Sequence, residues 1–594
     1  MESKAVCEGT LKTSESVAQL ARPIPMSLLL LTALAVHLPL LIAELPLKSY
    51  DANFHIFFAS HYAHHWFNPW NTKWFAGFSQ TTYPPLTQQW MALVSWVTGL
   101  NMAYMVVQLA AILLLVVGVY RFSLLWVSPR AASFAALASV FLGSEAILVY
   151  SAGQLATTAS APIYLNALPY MFEWIRHGRW RSFLKGSALF VAAAAAHHVT
   201  LLFGSFFFAV PVLALVFLDP EGGDPTPTRS FVVRTVVIVA AVSVAIAIVL
   251  LPYWIALFRY PITQTPIPHA SRANYILSPQ FGLNYFLAPY GAVLLALPFI
   301  VIRGSRVVRL RPLLIGFWLA FLIGLGGTTP VGSVLLGRAY HVLTFERFSY
   351  WAALLSLPFV GLLAAELFAR FRMRAAVPLA LLATSSCAYG VSWTTFHPNT
   401  SNTFRIAPIA NWLNRNQHDK FRYVTLGFGS NQISRLAILT DAGSVDGASN
   451  SARMLPELTK YGGAALTDSK YYGESGMDSL RAMLRHADRY GLRWVIVADP
   501  YYDPLLEFAG WRQVDTLDGK TITLWSKDGV PPARPRSSVQ QPPPWQGIMW
   551  GILPIGSSIL AILVLFIPDD RRRTPTGDEA AVDQDNLTPG SLVS

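Results

Sequence analysis

Four histidines fall close together, His55, His61, His64 and His65, and His61 stands at helical spacing from both His64 and His65. Imidazoles so placed can share a zinc ion. No Glu or Cys pattern completes a tetrahedral set, and helices at a membrane interface also carry His and Trp for their amphipathic character. A divalent metal is therefore an open expectation, with His61, His64 and His65 as its candidates. Just upstream, Asp51 in Ser49-Tyr50-Asp51-Ala52-Asn53-Phe54-His55 begins a helical stretch, a place where Asp commonly caps the backbone. It is followed by an aromatic, His-rich segment, then Pro69-Trp70, Gly77 and Tyr83-Pro84-Pro85-Leu86, which is more than a connector needs. Glu145 lies inside an apolar run, and an ionisable group at membrane depth usually faces a polar cavity or a partner. His37, His197 and His198 read as neutral imidazoles between helices, while Gln154, Asn166 and Asn284 can bond either a polar ligand or neighbouring helices.

The elements that hold these residues are membrane spans. The chain has 594 residues, 53% hydrophobic and 13% charged, about half the charge of a soluble domain. Apolar windows of about twenty residues predict spans at Met26–Leu45, Asn101–Leu125, Ala131–Ser151, Gln154–Trp174, Phe183–His198 and Val199–Leu218. Further ones follow at Phe231–Leu251, Ala288–Ile302, Pro312–Gly327, Phe348–Phe368, Ala375–Trp393 and Trp545–Ile567. The first run is too long for a signal-peptide core and lacks a cleavage site, so it reads as retained. The net charge of +12 does not point to nucleic acid, because 21 Lys and Arg sit in the predicted inner loops and tails against 6 in the outer loops. Lys and Arg are retained on the cytoplasmic side, so an even number of spans with both termini cytoplasmic is expected. Cys7 and Cys387 suggest neither a disulfide framework nor a metal cage.

Long loops in compact proteins are usually functional. The first outer loop, 46–100, carries Trp66, Trp70, Trp74 and Trp90 and reads as helices lying along the membrane interface. From 394 to 544 the composition turns polar, with 17 Lys and Arg against 14 Asp and Glu, as in an exported α+β domain. Phe421–Phe428 and Trp494–Ala498 read as buried strands, Gly476–Tyr490 as an amphipathic helix, and Gly519–Trp525 as an exposed closing strand. The resulting map is a cytoplasmic tail at 1–25, a span region at 26–393, the exported domain, a Pro-rich tether at Pro531–Pro544, a last span at 545–567 and a disordered tail at 568–594.

The order of features, an acidic residue ending the first span and then a long outer loop with a Tyr-x-Pro-Leu-like turn, resembles the GT-C fold of integral-membrane glycosyltransferases. Together with the Arg347-Phe348 pair opening a late span and the C-terminal exported domain, it is similar to the multispan proteins labelled "6-pyruvoyl-tetrahydropterin synthase related". The paired acidic residues of mannosyltransferase-like members are absent, since Ala52 follows Asp51. The fold class expected is an α-helical polytopic membrane protein of about twelve spans, GT-C-like, with an exported α+β domain.

The resemblance implies a donor sugar on a polyprenyl phosphate and a glycan, lipid or protein acceptor, at the outer face of a prokaryotic cytoplasmic membrane. It gives Asp51 the role of general base, because an acceptor hydroxyl must lose its proton as it attacks. The leaving phosphate needs a fixed cation, and a guanidinium matches its oxygens. Arg347 is placed for this, although an Arg at a helix end also serves as an interface anchor. Arg272 with His269 is a second candidate. Glu346 can orient Arg347 or meet the positive end of a helix dipole; Glu145 and His55 can line or support the cavity. Two rivals stand beside the enzyme: a flippase of lipid-linked saccharide, for which polar residues at the midplane of several spans and related halves are expected, and a non-catalytic assembly factor.

Overall fold

The computed structural model describes residues 22–218, 228–259, 269–396, 404–460, 465–535 and 541–568. The N-terminal tail with Cys7, the tail after Ile567-Pro568 and the centre of the Pro-rich tether lie outside the described residues.

Each predicted span is helical. The helices used below are α1 (Met26–Ile42), α2 (Ala52–His64), α3 (Leu86–Thr98), α4 (Leu100–Ser123), α5 (Pro129–Val140), α6 (Leu155–His177), α7 (Trp180–Ala196), α8 (Arg311–Gly324), α9 (Glu346–Phe371), α10 (Ala376–Phe396), α11 (Ser430–Leu439) and α12 (Pro544–Leu565). Among the described residues, seven helical segments are long and apolar enough to cross a membrane, and one of these, Glu346–Thr395, holds two of the predicted spans. The expectation of about twelve exceeds seven for a physical reason. Helices such as α8 are short, and α6 is interrupted by Thr157, Thr158 and Asn166, yet each is packed inside the bundle. Asn166 spends its amide on the Pro162 and Leu114 carbonyls and receives Arg121. His37 bonds the Tyr150 hydroxyl and the Val140 carbonyl. Both are helix-packing groups.

One departure from regular helix matters for function. After Gly143–Ile147 the chain widens into a π-turn, Leu148–Ala152, and breaks at Gly153 with φ +70°. A Cβ there would strike Ser49 Oγ and lie 2.7 Å from the Ala52 nitrogen, so only glycine lets this break press against the peptide carrying Asp51.

The C-terminal domain contains a four-stranded sheet in the order β3-β4-β6-β5, made of Arg422–Leu426 (β3), Leu492–Val497 (β4), Arg512–Leu517 (β5) and Ile522–Ser526 (β6), numbered after a two-residue hairpin in the first loop, Trp70–Asn71 (β1) and Phe78–Ser79 (β2). β3 runs parallel to β4, and β6 lies antiparallel to both β4 and β5. The closing strand expected to be exposed is therefore an inner strand, buried at Ile522, Leu524, Trp525 and Ser526. The exposed edge is β5, whose polar sequence RQVDTL carries no apolar alternation.

The first loop has a cover that its own sequence does not show. Ala52 to Ala59 and Tyr62 of α2 are all buried, and Phe54, Phe57, Phe58, Trp74, Phe75 and Phe78 belong to the same hydrophobic core as Val424, Leu436, Val495 and Leu524 of the C-terminal domain. α2 is a layer between the span bundle and the C-terminal domain, covered through its first two turns and at Tyr62, with His64 exposed at its end. α12 is fastened to the same loop, with Trp550 Nε1 donating to Tyr62, Gln89 donating to the Trp550 carbonyl and Trp66 donating to the Gly551 carbonyl.

Candidate active site

Asp51 occupies the N-cap position of α2, but its carboxylate makes no capping hydrogen bond. Its backbone is pinned instead. Tyr50 N donates to the Ser151 carbonyl at 3.0 Å and Asp51 N to the Ala152 carbonyl at 2.9 Å, two carbonyls that the π-turn frees from regular helical pairing. From the other side, Asn431 at the start of α11 donates to the carbonyls of Leu47 (2.9 Å) and Ser49 (2.6 Å) and accepts from Asn53 Nδ2 (2.8 Å). The carboxylate is thus left available while the peptide that bears it is held on two sides.

Arg347 and Glu346 begin α9. Gln154, directly after the Gly153 break, donates through Nε2 to Glu346 Oε1 at 2.7 Å and accepts through Oε1 from Arg347 Nε at 2.9 Å. The terminal NH2 groups of Arg347 remain for an anion. Its charge acts on Asp51, His55, Tyr83, His197, His198 and His269. Residues far apart in the sequence therefore meet around one guanidinium.

Burial is the main influence on the Asp51 carboxyl and raises it; Arg347 pulls it down, Glu346 pushes it up, and it stands at about 7. A carboxylate so poised can exchange a proton near neutral pH. His55 is driven down to about 3 by burial and by Arg347, so it is a neutral hydrogen-bonding group. With the Gln88 amide oriented as its neighbours demand, Gln88 Oε1 accepts from His55 Nδ1 (2.9 Å) and its nitrogen donates to the Pro84 carbonyl (3.1 Å). The Tyr83-Pro84-Pro85-Leu86 turn is in this way tied to α2.

His269 is held below the usual imidazole range, by burial first, and Glu346 opposes that shift; its Nδ1 bonds Ser271. Arg272 commits one NH2 group to the Leu343 carbonyl at 2.6 Å, so it braces the segment leading into Glu346 and Arg347. Glu145 is fully buried against Tyr350, one helical turn beyond Arg347. The metal candidates are not assembled. His61 bonds the Asn68 carbonyl, His64 bonds the Ser60 carbonyl, and among the described residues no group of three or more His, Cys, Asp or Glu is arranged to hold a metal ion.

Three participants escape sequence reasoning. Tyr104 of α4 lies within reach of the Asp51 charge with its hydroxyl unpartnered. Asn431 comes from a distant domain. Gln154, legible only as a polar residue at a span end, proves to be the link between Glu346 and Arg347.

A helical bundle with a loop carboxylate, a late span opening on Arg and a C-terminal sheet domain has the GT-C fold of multispan membrane glycosyltransferases. Solved structures similar to this chain carry that conclusion. The arabinofuranosyltransferase AftD from Mycobacteria matches with a TM-score of 0.52 at 13% identity over 85% of this chain and 40% of that one. ArnT from Cupriavidus metallidurans in the apo state matches at 0.52 and 12% identity over 84% and 97%, and its form bound to undecaprenyl phosphate at 0.50 and 12% over 85% and 99%. The chain thus spans only two fifths of the length of AftD and nearly all of ArnT. No protein-family model matches the sequence, and no curated protein sequence does.

Proposed function

We propose that the chain is a glycosyltransferase that moves a sugar from a polyprenyl phosphate to an acceptor hydroxyl at the outer face of a prokaryotic cytoplasmic membrane, with both termini cytoplasmic. The observation that carries this reading is an uncapped Asp51 carboxylate on a peptide pinned from two sides, lying within the field of an Arg347 guanidinium that Gln154 aligns. Asp51 accepts the acceptor proton as the new glycosidic bond forms at the anomeric carbon. The bond from that carbon to the phosphate oxygen breaks, and Arg347, aligned by Gln154, holds the phosphate that leaves. Arg272 and His269 complete the anion side, while His55 and Tyr83 shape the acceptor side. The ArnT structure with undecaprenyl phosphate supports a lipid phosphate as the donor's carrier in this fold.

The test uses purified protein in liposomes with labelled lipid-linked sugar in one leaflet. Transfer to acceptor, or slow release of free sugar without one, is the expected result. Label appearing in the opposite leaflet with its sugar still attached would make the protein a flippase.

A further inference from the structure

We propose that a cavity between the first loop, the C-terminal domain and the start of α12 binds a saccharide and serves as an acceptor-side subsite, an inference that rests on the transferase reading above. The cavity is lined by Trp70, Ser79, Thr81, Met454, Gln541 and Gln546, among others.

Its chemistry selects the ligand. Among the described residues no carboxylate lines it, and Arg259 is the one charged residue in its wall. A polyphosphate or acidic polymer calls for several cations, and an acyl chain calls for a wall without hydroxyls and amides. A sugar ring presents hydroxyls at its rim and an apolar C–H face. Trp70 supplies the flat apolar partner; its indole is laid against Gly77, where a Cβ would come within 2.5 Å of the ring, so the platform depends on that glycine. Ser79 and Thr81 add a polar edge, their hydroxyls paired with each other at 2.8 Å. Gln546 is 6% exposed, and its side-chain amide has no protein hydrogen bond among the described residues, although a buried amide ordinarily has partners.

Position links the cavity to the reaction. The Phe78–Thr82 wall runs directly into Tyr83, whose ring centroid lies 6.2 Å from that of His55 and which shares the fields of Arg347 and Asp51. The wall that carries the cavity's hydroxyls is thus continuous in the chain with a residue that shares the field of the Asp51 centre.

The same chemistry arrives either as a free glycan or as the headgroup of a membrane glycolipid. The full chain in nanodiscs is screened against an array of cell-envelope oligosaccharides and, in parallel, against vesicles carrying glycolipids. Retention of at least one saccharide is expected, and the arm that retains it identifies the source. Met454→Trp, which fills the cavity, and Trp70→Leu, which removes the platform, each weaken retention about tenfold; Asp51→Asn keeps it. Undecaprenyl phosphate binding, unchanged in Met454→Trp, verifies the fold. No retention by the native chain, or retention indifferent to both cavity variants, overturns the subsite. Retention lost in the cavity variants while no transfer is ever detected leaves the subsite standing and removes the transferase reading instead.

Discussion

Arg347 Nε donates to Gln154 Oε1 at 2.9 Å, and the same amide donates to Glu346 at 2.7 Å. Adjacent acidic and basic residues at a helix start would otherwise be free to pair with each other. Gln154 is interposed between them, so the guanidinium is aimed without its charge being cancelled by direct contact. Gln154→Leu is expected to leave the buried Glu346 oxygen unpaired, a loss of about 1–3 kcal/mol of stability, and to lower affinity for polyprenyl phosphate. Thermal unfolding and lipid binding measured together check this; unchanged lipid affinity would reduce the amide to a packing role.

Asp51→Asn is expected to slow transfer by ~10²–10⁴-fold with donor binding retained, because the amide is of the same shape but cannot take up the proton. The native enzyme should gain activity as pH rises through about 7, since the carboxyl standing there is protonated and idle below that value. The rate-versus-pH profile at saturating donor checks the sign. An Asn variant as active as the native chain would return Asp51 to a structural role.

Arg347→Ala should weaken binding of the lipid phosphate and slow chemistry, and Arg347→Lys should restore only part, because the planar fork is lost. Equilibrium binding of undecaprenyl phosphate is the measurement. Indistinguishable affinities would move the anion site to Arg272.

Asn431→Ala removes two donated hydrogen bonds and one accepted one around the Asp51 peptide. A fall in kcat larger than the rise in KM for the acceptor is expected, with donor affinity unchanged. A variant altered only in thermal stability would confine Asn431 to domain docking.

A reporter inserted at Gly510, on the exposed side of the C-terminal domain, should be active only if it is one that works outside the cytoplasm, given the 21 to 6 distribution of basic residues. Signal from a cytoplasm-only reporter would invert the orientation and the face at which transfer occurs.

The spans were legible because twenty-residue apolar runs have few other uses, and Asp51 and Arg347 because charged residues at span ends are conspicuous. β3 and β4 were readable as short buried runs. β5 was not, being a polar edge strand, and β6 was taken for the exposed one because its pairing on both sides is a tertiary fact. Gln154 gave only a polar residue beside a glycine; its partners lie at Glu346 and Arg347. Asn431 follows a serine at a helix start and looks like local capping. Nothing nearby in sequence says that it reaches Leu47 and Ser49. The burial of α2 is hidden from sequence for the same reason, since its cover is encoded far downstream.

That distance also sets an order of assembly. Asn53 and Asn431 are 378 residues apart, and synthesis at ~5–20 residues per second separates their emergence by roughly 20–80 s. Throughout that interval Phe54, Phe57, Phe58 and Trp74 have left the ribosome and the core that encloses them has not been made. Chains stopped after Phe396 are accordingly expected to be cut by protease in the Trp74 turn that the finished protein shields, and a later-made domain is what completes the pocket begun by an earlier-made loop.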